Sequence, residues 1–306
     1  VSLIERFAAL VPLAPLAPLS QRRLRVLLSP QQLLCVVRHG QRLVEGSARQ
    51  IAVDGAGGHW QTAVDALRAL LQQPDIAAAR LPLEVSLSGR WSQLVLAPWS
   101  DALLSEPSAS RFLQTQLAAL YGDHARGWSV TGDDAPYGHP RLVCGIDSML
   151  LQALKDVAAE CGHACRVIEP LLGTALRAME SPSPKRPLKE AAATCALALI
   201  EPGRITMAAL RDRRVVGIQS QPASEAWRLE LPQAWQRWTL RAPELAAIER
   251  VAVTDLSTLP QSAAALHLVP AALPTRFHLI VNPFGKHATV AAPAAPPSST
   301  TPEVAA

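Results

Sequence analysis

Aromatic residues other than tryptophan are scarce in this chain: two Tyr and four Phe in 306 residues, against seven Trp. Dense clusters of Lys and Arg are absent. The 29 basic and 25 acidic residues leave a net charge of +4, which argues against a dedicated nucleic-acid surface. Five cysteines are sparse and odd in number. They exclude a disulfide framework and lead us to expect reduced, intracellular thiols. No apolar run reaches the length of a membrane span. The only Gly-rich loop, Asp54-Gly55-Ala56-Gly57-Gly58, has no Lys or Ser/Thr at Walker spacing, so a phosphate loop of that kind is excluded. What is present is 49% hydrophobic and 18% charged, enough for one large core or two medium ones.

Along the chain, Val1–Gln21 holds a short stripe of Leu3, Phe7 and Leu10 followed by VPLAPLAPLS. Pro12, Pro15 and Pro18 interrupt the apolar stretch and Glu5 spoils a basic start, so a secretory signal is not the expectation. A loose polyproline-like arm or a short amphipathic docking element is. Leu24–Leu28, Leu33–Arg38 and Gln50–Val53 read as strands, the first two joined at Ser29-Pro30-Gln31-Gln32. His59–Leu71 is a helix with Trp60, Val64, Leu67 and Leu71 on one face. Leu83, Val85 and Leu87 alternate with polar residues as a half-buried strand. Trp91–Ala97 is expected to return as its partner across Ser88-Gly89-Arg90. A helix near Ser110–Tyr121 and a strand at Trp128–Thr131 follow.

Arg141–Met179 is the most ordered pattern in the chain. Arg141–Ile146 is an apolar strand, and Asp147 stands where an N-cap belongs. Leu150, Leu154, Val157 and Cys161 form a helical stripe, and Gly162 supplies a left-handed end. Cys165–Ile168 is a second strand ending at Glu169. Pro170 then opens a helix lined by Leu172, Ala175, Leu176 and Met179. The unit implies parallel strands with a right-handed crossover. After the proline-rich Ser181–Pro187, Cys195–Ile200, Ile205–Arg211 and Arg214–Gln219 read as a three-strand meander bending at Glu201-Pro202-Gly203-Arg204. A helix around Pro232–Leu240 and strands at Arg250–Thr254 and Phe277–Val281 complete it. The meanders at Leu24–Val53 and Cys195–Gln219, each followed by a helix, suggest an internal duplication of element order.

In this order of elements the chain resembles the actin-like ATPase-fold assembly proteins of the PilM, GspL and MshI type, which serve type IV pilus and type II secretion machines. The resemblance spans roughly Leu24–Thr254. It implies an α/β fold of two actin-like, RNase H-like lobes, each a mixed sheet with an antiparallel three-strand meander plus helices. The expected organisation is an arm over 1–21, a first lobe with an inserted subdomain over 22–180, and a linker over 181–187. A second lobe over 188–289 and a disordered Pro/Ala-rich tail over 290–306 complete it.

Members of this superfamily grip Mg–ATP with two hairpin turns that carry an acid and glycines, so that backbone N–H groups reach the phosphates. Here the first turn has neither, and Pro30 removes a donor. The second keeps Glu201 and Gly203 but gains Pro202. The expectation is therefore a pseudo-ATPase with no cofactor, Mg–ATP included, and with no catalytic, cofactor-binding or metal residue to assign. By resemblance it is a cytoplasmic scaffold, peripheral to the inner membrane. Its partner would be the cytoplasmic segment of a bitopic inner-membrane protein, with self-association as an open question and no nucleic acid. The alternative is a nucleotide-binding ATPase or phosphotransferase on the same architecture.

Other features read as structural first. The Asp54–Gly58 loop could bind an anion before its helix, but an ordinary strand-to-helix turn explains it. Cys161-Gly162-His163-Ala164-Cys165 lacks a second ligand pair for a metal. Asp123-His124 and Asp133-Asp134 lie in loops with no nucleophile elbow nearby. Asp147 is a cap rather than a base. Trp227, Trp235 and Trp238 gather in the second half, either as core or as a peptide groove.

Overall fold

The structure, a computed structural model, describes residues 22–40, 42–55, 58–180, 194–257, 272–280, 282–285 and 289–290. The expected arm over 1–21, the linker over 181–187 and the tail beyond Val290 lie outside them.

The first lobe is built on a sheet opened by β1 (Arg22–Leu28), β2 (Gln32–His39) and β4 (Arg49–Ala52), an antiparallel meander, with the short β3 (Arg42–Leu43) on β2. β5 (Leu83–Leu87) and β9 (Cys165–Pro170) extend it in parallel on the other side of β1, and β15 (Thr289–Val290) pairs with β4. The order is β15-β4-β2-β1-β5-β9. Leu24, Val26, Leu28, Val85 and Leu87 share one face of the pleat, and Arg25, Leu27, Glu84 and Ser86 between them are buried too, so Leu83–Leu87 is buried on both faces and not the half-buried strand its alternation suggests. The connecting helices α1 (Gln61–Leu71) and α4 (Ser148–Glu160) pack on each other, with the short α2 (Pro74–Ala79) after α1.

The second lobe repeats the arrangement. β10 (Thr194–Glu201), β11 (Arg204–Arg211) and β12 (Arg214–Pro222) are an antiparallel meander, and β13 (Val251–Asp255) and β14 (Phe277–Leu279) continue in parallel from β10. The order is β12-β11-β10-β13-β14. The sheet is apolar on both faces. Leu197, Leu199 and Ala208 join the core of the first lobe, while Ala196, Ala198, Met207 and Ala209 meet α6 (Trp227–Arg241). α5 (Leu171–Glu180) lies between the lobes, against β5, β9 and β10.

A third, antiparallel sheet, β6-β8-β7, is inserted between β5 and β9. It comprises β6 (Ser92–Ala97), β7 (Trp128–Gly132) and β8 (Arg141–Asp147), backed by α3 (Ser108–Tyr121). Val95, Ala97 and Val143 pack on Leu113 and Leu117 of α3, whereas Leu142, Cys144 and Ile146 enter the main core.

Two further expectations are corrected here. Arg141–Met179 is not a parallel crossover unit, because β8 pairs antiparallel with β6 and β7 while β9 pairs with β5. A strand buried on both faces gives the same apolar run in either kind of sheet. Nor do β5 and β6 form a hairpin. Both edges of β5 are taken, by β1 and β9, so β6 has no edge to join. Ser92 Oγ donates to Leu87 O at 3.1 Å and to Ser88 O at 2.9 Å, which holds the chain as it leaves the sheet. The local features of the unit are as expected. Asp147 Oδ1 accepts from Met149 N at 2.8 Å, and Gly162 has φ +76°.

Candidate functional site: the cleft between the lobes

The β1–β2 and β10–β11 turns both open toward the junction of the two lobes. In the first turn, Ser29 Oγ donates to Gln32 O at 2.9 Å and accepts from Gln32 N at 3.2 Å, which closes the bend tightly. The Gln32 side chain is fully buried. Its Nε2 donates to Leu256 O, just beyond β13 of the other lobe, at 2.7 Å. Its Oε1 accepts from Gln50 Nε2 at 2.8 Å. A carboxamide that would cost about 1–3 kcal/mol if buried unsatisfied thus has a partner at both its nitrogen and its oxygen, and the bond to Leu256 ties one lobe to the other.

Pro30 is covered in turn by the Gly-rich loop. A Cβ on Gly55 would lie 2.0 Å from Pro30 O, so only glycine permits this approach. Gly58 has φ +76°, and its carbonyl accepts from Trp91 Nε1 at 2.8 Å. Packing against the first turn therefore accounts for Gly55, and a left-handed backbone for Gly58.

In the second turn, Gly203 supplies φ +77°, as a tight hairpin needs. Glu201 points back into the protein. Both of its carboxylate oxygens lie 3.2 Å from Gly89 N, in the turn between β5 and β6. Burial pushes the Glu201 carboxyl up, against hydrogen bonds from Ser88 and Gly89 and the nearby Arg204 guanidinium, which lower it. A cavity of about 150 Å³ adjoins it, lined by Ser92, Tyr121, Glu201, Arg204, Thr206 and Ser220 among others.

On the first-lobe side, Glu169 at the end of β9 is buried at 2% exposure. It accepts from Thr174 Oγ1 at 2.6 Å and pairs with Arg177, while Ser86 Oγ and Thr174 Oγ1 lie 2.7 Å apart. This acid is engaged by α5.

The whole arrangement is two copies of one topology, meander first and parallel strands after, closed on each other across a central helix. The fold is actin-like. No protein-family model matches the sequence, and no curated protein does. Solved structures do. A PilM–PilN type IV pilus biogenesis complex superposes with a TM-score of 0.58 at 10% identity, over 87% of this chain and 89% of that one. A Bacteroides thetaiotaomicron protein with an actin-like ATPase fold and unknown function gives 0.52 at 10% identity, over 83% and 89%. The cytoplasmic domain of EpsL, an inner-membrane component of the Vibrio cholerae type II secretion system, gives 0.46 at 17% identity, over 86% and 91%. The resemblance drawn from element order is met at the level of the fold.

The remaining candidates have structural partners. His163 is buried, with Nδ1 2.9 Å from Leu81 O. Burial pushes the Cys165 thiol up to about 11, which makes it a poor nucleophile at neutral pH. Asp123 pairs with Arg126 at the surface. Asp133 Oδ1 accepts from Leu142 N at 3.0 Å. Trp227, Trp235 and Trp238 are core: all three are buried, with Trp235 and Trp238 edge-on at 5.4 Å. Sequence reasoning missed Gln32, Gln50 and Gly89. Their partners are distant in the chain, and no local signal marks such pairings.

Proposed function

We propose that this protein is a non-catalytic scaffold of a type IV pilus or type II secretion-like assembly machine. It acts at the cytoplasmic side of the inner membrane and receives the cytoplasmic segment of a bitopic membrane partner. The observation that carries this reading is the state of the cleft. The turns that cradle a triphosphate in active members of the fold are here engaged with the protein itself, Gln32 with Leu256 and Glu201 with Gly89. Electrostatic stabilisation of a transferring phosphoryl group needs free donors and a metal aimed at it, and these contacts occupy that place. On this reading the fold serves to hold surfaces in fixed relation. None of the helices among the described residues is long and apolar enough to cross a membrane.

The alternative is a nucleotide-binding ATPase or phosphotransferase on the same architecture. Glu201 is the feature that favours it, as the one acid in either turn, but its carboxylate faces Gly89. To test the scaffold reading, the immobilised chain is offered solubilised inner membrane. The expected outcome is recovery of a pilus or secretion component whose cytoplasmic segment, made as a peptide, binds on its own. Repeated recovery of no such component would contradict it.

A further inference from the structure

Glu201 is the last residue of β10, and its side chain could reach solvent at the hairpin. It is instead 4% exposed and bifurcated onto one backbone amide, with 3.2 Å from Gly89 N to each oxygen. The receiving turn is shaped for this contact. A Cβ on Gly89 would lie 3.0 Å from Glu201 Oε2 and 3.4 Å from Arg204 Cδ, so a larger residue there would crowd the carboxylate. The Ser88 hydroxyl is a second donor and Arg204 a nearby positive charge. A backbone N–H and a hydroxyl meeting one carboxylate, with a guanidinium in the neighbourhood, make the surroundings of a small-anion site. The anion here belongs to the chain.

We propose that Glu201 is an internal ligand: its carboxylate occupies an anion site formed by Gly89 N–H and Ser88 in the field of Arg204, and so clamps the β5–β6 turn of the first lobe to the second. The site takes small carboxylates. The adjoining cavity of about 150 Å³ gives a free anion of acetate size a route to it once the side chain is removed. The inference rests on the reading of the cleft as one that works without nucleotide, and it adds what keeps the lobes together in place of one.

Glu201→Ala deletes a CH₂–carboxylate, which is the heavy-atom frame of acetate. In this variant the amides of Gly89 to Ser92 are expected to exchange hydrogen about tenfold faster or more, since a charge-assisted contact that closes local opening is gone. Sodium acetate should restore both their protection and the melting temperature, where sodium chloride at equal ionic strength does not. The wild-type chain should respond to the two salts alike. Unchanged exchange at Gly89, or equal effects of acetate and chloride, would overturn the proposal. If Glu201→Ala fails to fold, Gly89→Ala serves instead. Its added Cβ crowds Glu201 Oε2 at 3.0 Å, so the carboxylate must shift and its contact with Gly89 N lengthen, and unchanged protection of that amide would overturn the proposal equally. Binding of Mg–ATP by the wild-type chain would contradict the scaffold reading without changing what the acetate rescue must show.

Discussion

Asp133 carries the most legible pH dependence. It is buried at 3% exposure, and burial pushes its carboxyl up from 3.8 to about 6, against the amide of Leu142 and the nearby Arg141 and Arg214. The folded state therefore holds this proton more tightly than the unfolded one. The contribution is fully present below pH 3.8 and is lost as pH rises through about 6, a change on the order of 3 kcal/mol at most. Asp133→Asn keeps an oxygen for Leu142 N and cannot ionise. Thermal melts should show a flatter profile between pH 4 and 6 for the variant, and a higher melting temperature than wild type at pH 7. An unchanged slope would refute the assignment. Glu84 behaves in the opposite sense. Burial pushes it up, but Arg25 at 2.7 Å and Arg23 at 2.9 Å outweigh that and hold it below the usual carboxylate range. Glu84→Ala deprives half-buried guanidiniums of that carboxylate and should cost about 3–5 kcal/mol in denaturant unfolding. At this scale the sequence was readable where partners are close in the chain, as with Asp147 capping Met149 N two residues on. It was silent on Glu201 and Gly89, which are 112 residues apart.

Among the elements, helical stripes translated directly into packing. Val64, Leu67 and Leu71 on α1, and Leu150, Leu154 and Val157 on α4, are all buried. Sheet membership did not translate. β8 has the apolar run of a parallel core strand because its two faces meet two different cores, and periodicity records burial rather than the identity of the neighbour. β6 follows β5 closely, yet the edges it could join were already filled by strands far away in the chain. α6 shows the reverse case, a tryptophan cluster open to two readings that the second-lobe sheet settled as core. Trp238 is 6% exposed, and a Cβ on Gly217 of β12 would lie 3.1 Å from its Cζ2. Trp238→Ala should therefore destabilise by about 3–5 kcal/mol, measured by chemical unfolding. A loss below about 1 kcal/mol would mean that α6 contributes little to holding the sheet.

For the whole molecule, the duplicated topology was visible as two meanders, each followed by a helix, and it survives as two sheets of matching order. The relation between the lobes was not visible, because it depends on a few polar contacts between distant turns. Those contacts give the molecule its character. Gln32 and Glu201 reach across from opposite lobes with hydrogen bonds to main-chain atoms. On the scaffold proposal, an actin-like fold closed in this way keeps its two-lobed shape without a bound nucleotide. Isothermal titration of Mg–ATP into the folded chain tests that most directly. The account predicts no saturable heat up to ATP concentrations on the order of 1 mM. Saturable binding in the micromolar range that is lost in Glu201→Ala would contradict it.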